Sequence, residues 1–232
     1  VWQVALAYAT TLILFVLANK STTAANAIFL QSAAPLYLAV LGPIVLKEHV
    51  RRDEWWVMAV IAIGLVVCFR AEAAAVETAP DPVHGNLLAI ASGIFYAIMV
   101  LGLRWMGRHG TGGSGLAAVA LGNLLAFVVA LPLALPVAAV TAQDVAVVGY
   151  LGVFQIGVSY LLVTVALRVV PALEASLLLL VEPVLNPVWA WMAHGETPGS
   201  GALVGGLIIL LGTSILAIRG ARRSLAPAQT PN

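Results

Sequence analysis

The chain has 232 residues, 62% of them hydrophobic and only 9% charged, with a mean hydropathy of +1.03. A soluble domain carries about 25% charged residues, so the composition decides for a multi-span membrane protein and against a string of soluble domains. The net charge of +1 offers no polybasic surface and so argues against nucleic acid as a partner, and the single Cys68 cannot form an internal disulfide.

From Val1 the chain enters an apolar stretch at once, VWQVALAYATTLILFVLA. It has no basic n-region and no small-residue cleavage site, so it reads as a span rather than a signal peptide, in a chain cut at its front end. Eight apolar segments follow in order: Trp2–Ala18, Ala27–Leu46, Trp55–Phe69, Gly85–Trp105, Gly115–Val137, Val145–Leu167, Leu173–Ala193 and Gly201–Ile218. None alternates apolar and polar residues as a barrel strand does, so all are expected to be helices. With eight spans, both ends lie on one side. That side collects Lys47, Arg51, Arg52, Arg104, Arg108, Arg168, Arg219, Arg222 and Arg223, against Lys20 and Arg70 on the other. The positive-inside rule then places both ends in the cytoplasm, in a multi-pass protein of the cytoplasmic (inner) membrane. The connection AEAAAVETAPDPVH, residues 71–84, falls outside and splits the chain in two.

The two parts are related at a gapless offset. Pro35 and Pro183 are 148 residues apart, as are Glu48 and Glu196, Gly64 and Gly212, and Ile61 and Ile209. The second copy, 85–219, holds five helices and is followed by a tail at 220–232. The first, 1–70, shows only three, so two more helices of about 20 residues each are expected ahead of it. An odd number of helices per copy gives the copies opposite topology. The expected fold is an all-α polytopic membrane protein built as an inverted repeat of five-helix units, ten helices in all with eight visible here. Inverted repeats of this kind place a binding site at mid-membrane between the halves.

Two runs carry a family resemblance. TTAANAIFLQSAAPLYLAVLGPIVLKEHVRRDEWWVMAVIAIGLVV and VPALEASLLLLVEPVLNPVWAWMAHGETPGSGALVGGLIILLGTSIL share a helix with a central proline, a Glu just after it, a short loop and a glycine-bearing final helix. This doubled pattern resembles the paired EamA domains of the drug/metabolite transporter superfamily. The resemblance implies a ten-helix carrier with cytoplasmic ends and a central cavity, and members that move amino acids, sugars, nucleotide derivatives or drugs. It supplies no universal set of binding residues.

Leu173–Ala193 is the stretch with most chemistry, because Glu182, Pro183, Asn186 and Pro187 interrupt it. A carboxylate at mid-bilayer costs about 2.5–3.5 kcal/mol on insertion scales, so this face is expected to meet protein or a water-filled cavity. Glu182 either takes up a proton or pairs with a cationic group, or it is a hydrogen-bonded Glu that pins its helix. Its first-copy equivalent is Ala34, so any such acid acts from one half only. Asn186 and Trp189 share its face. Pro35, Pro183 and Pro187 are helix breaks, read either as hinges that free carbonyls toward a substrate or as fixed kinks. Gln31 and Ser32, one turn before Pro35, are the first-copy cavity candidates. Gln155 and Ser159 share a helical face with Tyr160 close by, as a ligand-facing strip or as helix-to-helix hydrogen bonds. Tyr96 and Asn123 are further candidates. Trp55 and Trp56 read as interfacial anchors.

No metal-ligand spacing joins His49, His84, His109 and His194, and no cofactor is expected. The GTGGSG run around Ser114 has no base placed near it and reads as a cytoplasmic loop. No GxxxxGK[ST] loop is present, so energy must come from a gradient or from the substrate. The leading reading is a secondary carrier of a small organic metabolite or drug, working by alternating access. The expected partners are that substrate and the lipid bilayer, with protons a candidate coupling ion and a homodimer a candidate assembly. The competing readings are an integral-membrane enzyme, which would need more acids or histidines than one deep Glu, and a non-transporting fragment or packing subunit.

Overall fold

The computed structural model describes residues 1–47, 55–71, 79–109, 113–136, 139–171 and 199–224, together with Ala175, Leu179, Glu182, Trp189, Trp191 and Met192. Among these residues there is no β-strand. The helices are α1 (Trp2–Ser21), α2 (Ala24–Gln31), α3 (Ala34–Val45), α4 (Trp55–Ala71), α5 (Pro82–His109), α6 (Ser114–Ala134), α7 (Ala142–Tyr150), α8 (Ser159–Ala166) and α9 (Ser200–Ser224). A π-helical segment, Leu151–Val158, joins α7 to α8. Lipid offers the backbone no hydrogen bonds, so apolar sequence of this length must satisfy its own peptide groups as helix. Among the described residues five stretches are long and apolar enough to cross a membrane: Trp2–Ser21, Ala24–Val45, Pro82–His109, Ser114–Ala134 and Ala142–Ala166. Shorter apolar helices run over Trp55–Val67 and Leu203–Gly212. Most of the expected segment Leu173–Ala193 lies outside the described residues, as do Glu48, Glu196, residues 72–78 of the 71–84 connection and the end of the tail.

The span expected over Ala27–Leu46 is two helices. α2 stops at Gln31, and Ser32 and Ala33 turn the chain before α3 starts with Pro35 in its first turn. Proline at the start of a helix loses nothing, because the first backbone N–H groups are unpaired there in any case. Lys47 follows α3 in the left-handed region, at φ 56°, where a helix commonly closes.

α5 is the central post, in contact with α1, α2, α3, α6 and α8. At one end it is pinned to the α1–α2 turn. There the Thr22 Oγ1 donates to the Asn86 Oδ1 at 2.8 Å, and the Asn26 Nδ2 donates to the same oxygen at 3.3 Å. All three residues are fully buried. Gly85, beside Asn86, brings the two backbones together: a Cβ there would meet the Thr22 nitrogen at 2.6 Å. At the other end the Arg104 Nη1 donates to the Leu167 carbonyl at 3.0 Å. Hydrogen bonds between membrane helices contribute about 0.6 kcal/mol on average and up to about 1.7. Because Asn86 serves two donors, Asn86→Ala is expected to cost about 1 kcal/mol, measured as a shift in unfolding free energy in mixed micelles. An unchanged midpoint would show that the network adds nothing.

α4 packs against α9, and α2 lies across both. A Cβ on Gly64 would meet the Ile209 side chain at 2.8 Å, and one on Gly212 would meet the Ile61 side chain at 2.9 Å. Each helix thus offers a glycine to the isoleucine of the other, and both the glycines and the isoleucines are 148 residues apart. Trp55 and Trp56 open α4 with 49% and 79% of their surface exposed.

Candidate functional site

The break between α2 and α3 forms part of the wall of a cavity of about 460 Å³. Small-molecule sites typically occupy about 300–1,000 Å³. Residues 11–35 supply one part of the lining: Thr11, Leu12 and Phe15 of α1, Ile28 of α2, and Gln31, Ser32, Ala34 and Pro35 around the break. Residues 151–182 supply another: Leu151, Gln155 and Ile156 from the π-helical segment, then Ser159, Tyr160 and Val163 of α8, with Leu179 and Glu182. Tyr96 of α5 completes it.

The wide turn matters to that list. In π winding the hydrogen bonds run from i to i+5, so neighbours both four and five residues on come round to nearly the same side. Leu151 is followed at the wall by both Gln155 and Ile156.

Ten of the lining residues stand in pairs separated by 148 positions: Thr11 with Ser159, Leu12 with Tyr160, Phe15 with Val163, Gln31 with Leu179, and Ala34 with Glu182.

Hydrogen bonding divides the polar lining into two sets. The Gln31 Nε2 donates to the Ser92 Oγ at 2.8 Å, and that hydroxyl donates to the Thr11 carbonyl at 3.0 Å. The Thr11 Oγ1 donates to the Ala7 carbonyl at 2.8 Å, and the Ser32 Oγ to the Ile28 carbonyl. The Ser159 Oγ donates to the Phe154 carbonyl within its own helix at 3.2 Å. The Gln31–Ser92–Thr11 chain joins helices, and the other three hydroxyls are engaged by nearby carbonyls of their own segments. By contrast, among the described residues no hydrogen bond engages the side chains of Gln155, Tyr96, Tyr160 or Glu182. The Glu182 carboxylate shares the cavity lining with Tyr96 and Tyr160. It is the only charged side chain among the described lining residues.

Seven of the side chains expected at a cavity therefore meet here, namely Gln31, Ser32, Tyr96, Gln155, Ser159, Tyr160 and Glu182, with Pro35 beside them. Asn123 does not. Its Nδ2 donates to the Tyr8 hydroxyl at 3.2 Å and to the Val119 carbonyl at 3.0 Å, which ties α6 to α1. Trp189 is 58% exposed and does not line the cavity. Asn186, Pro183 and Pro187 lie outside the described residues. Leu12 and Phe15, with Thr11, were missed as wall residues, because α1 reads in sequence as an unremarked span. The 148-residue offset was the available signal, since it sets Leu12 beneath Tyr160. Among the described residues no group of His, Cys, Asp and Glu could hold a metal ion.

The model of the EamA-like transporter family matches residues 83–218, more than half of the chain. The chain belongs to the EamA-like transporter family. Together with its long apolar helices, membership makes this EamA protein a multi-pass membrane protein of the drug/metabolite transporter type. Among solved structures it is similar to one described only as a crystal structure of a protein, at 18% identity and a TM-score of 0.66, covering 97% of this chain and 78% of the other. That likeness concerns the fold alone. No curated protein matches the chain.

Proposed function

We propose that this EamA protein is a secondary carrier that moves a small organic molecule across the cytoplasmic membrane, with the cavity lined by residues 11–35, Tyr96 and residues 151–182 as its binding site. The observation that carries this reading is the pairing of the cavity lining at a 148-residue separation. A site shared by two inverted units draws equivalent positions from both, and such units alternate access by rocking about it. The reciprocal Gly64–Ile209 and Gly212–Ile61 contacts between α4 and α9 support the same relation. The family match over 83–218 agrees with a second unit at 85–219. The ends of the helices support cytoplasmic termini: Lys47, Arg104, Arg108, Arg168 and Arg219 gather at one end of the bundle, Lys20 and Arg70 at the other.

The test is counterflow in vesicles reconstituted with the purified full chain. Vesicles preloaded with the small-molecule fraction of a cell extract are diluted into the same fraction carrying heavy isotopes, and uptake is read by mass spectrometry. At least one solute is expected to exchange saturably. Exchange no faster than in protein-free vesicles, for every solute, would overturn the carrier reading.

A further inference from the structure

Resting on the carrier reading, we propose that the cavity selects organic cations: amines that carry an apolar body, with Glu182 as the counter-charge. Three observations converge on this class. The first is the sign of the site. Glu182 is the only charged group among the described lining residues, and no Lys, Arg or His is among them. The wider sequence offers none either. Across the eight apolar segments the only basic side chain is Arg104, which sits at a helix end and donates to the Leu167 carbonyl. An anion entering the cavity would face a carboxylate with no cation among the described lining residues to balance it.

The second is which groups are free to bind. Glu182, Gln155, Tyr96 and Tyr160 have no hydrogen-bond partner among the described residues. A carboxylate is acceptor-only, so it suits an ammonium, whose three N–H groups only donate. The two tyrosine rings add π faces, which attract a cation.

The third is the difference between equivalent positions. Where residues 151–182 offer Tyr160 and Glu182, residues 11–35 offer Leu12 and Ala34, with Phe15 nearby. The polar groups of Thr11 and Gln31 are held by Ala7 and Ser92. At these two pairs of positions residues 151–182 carry the groups suited to an ammonium and residues 11–35 carry hydrocarbon. The ligand would lie with its amine at Glu182 and its apolar body toward Leu12 and Phe15.

Three probes share one body and differ in charge: phenethylamine, 2-phenylethanol and phenylacetate. Their affinities for the purified full chain are measured by titration calorimetry at pH 7. Phenethylamine is expected to bind saturably, at least about 10-fold tighter than 2-phenylethanol, with phenylacetate not binding. Loss of a charged hydrogen-bond partner typically corresponds to about 10- to 100-fold in affinity. Glu182→Gln should therefore erase the advantage of the amine, while Glu182→Asp keeps the order of the three probes. Circular dichroism and a monodisperse elution profile show that both variants are folded. Binding of phenylacetate or 2-phenylethanol as tightly as the amine overturns the proposal, as does full amine affinity in folded Glu182→Gln, or no binding by any probe. The carrier reading is judged apart from this by counterflow. Exchange of neutral or anionic solutes there, with the amine failing to bind, would leave a carrier whose substrate is not a cation.

Discussion

Glu182→Gln is expected to lower the exchange rate of the carried solute by about 10- to 100-fold, without preventing insertion or folding. The carboxylate lines the cavity, and among the described residues no side chain hydrogen-bonds to it, so its removal leaves no orphaned protein donor behind. What is lost is a charged contact to the ligand, worth about 1.5–3 kcal/mol, and each 1.4 kcal/mol is about tenfold. The measurement is the initial counterflow rate per folded protein. Asn123→Ala is the matched control. It removes a polar side chain from within a span too, but one bonded to Tyr8 and Val119 and not among the described lining residues. It should cost about 0.6 kcal/mol of stability and leave the rate per folded molecule unchanged. A wild-type rate in Glu182→Gln would remove Glu182 from the mechanism.

The second large effect concerns folding. Gly85→Ala is expected to destabilise the protein by about 1–3 kcal/mol, the usual range for forcing extra atoms into a packed contact. The new methyl would sit 2.6 Å from the Thr22 nitrogen, 2.7 Å from the Thr22 Cβ and 2.8 Å from the Ser21 carbonyl carbon. Two of these are backbone atoms, which cannot rotate aside as a flexible side-chain tip can. Gly149→Ala makes the same chemical change in α7, where nothing lies within 4 Å of the added carbon. It should be neutral or stabilising by up to about 1 kcal/mol, because alanine is the better helix former. Unfolding free energies in mixed micelles would compare the two. A neutral Gly85→Ala would mean that the α1–α2 turn is not held against α5 as tightly as its geometry requires.

The helices were legible because a run of apolar residues long enough to cross a bilayer has few alternatives to helix. The break after Gln31 was legible through Pro35, although its position, two residues before the proline, follows from how a new helix begins rather than from the proline itself. Glu182 stood out because its cost in lipid is high and its neighbours are apolar. The polar residues of moderate cost were harder to sort. Gln31, Gln155 and Asn123 look alike in sequence, yet one is bonded to Ser92, one has no bond among the described residues, and one is bonded to Tyr8. Which neighbour a helix face meets depends on packing between segments far apart in the chain, and no local pattern encodes it. The Thr22–Asn86–Asn26 network was missed for the same reason. The π winding of Leu151–Val158 carries no sequence mark beyond the nearby glycines.

The glycine contacts also say where the molecule can yield. Where a Cβ would strike backbone, as at Gly85 and at Gly64 against the Gly205 carbonyl, two helices touch main chain to main chain and cannot slide without collision. Those contacts make stiff joints. From Ala142 to Val158 no side chain is buried, and Gly149 and Gly152 have nothing within 4 Å. Among the described residues this stretch of α7 and the π-helical segment has no buried side chain to lock it, and it carries Gln155 at the cavity wall. A movement of that stretch would carry Gln155 with it and so change the shape of the cavity, while the main-chain contact of Gly85 with the α1–α2 turn stayed in place.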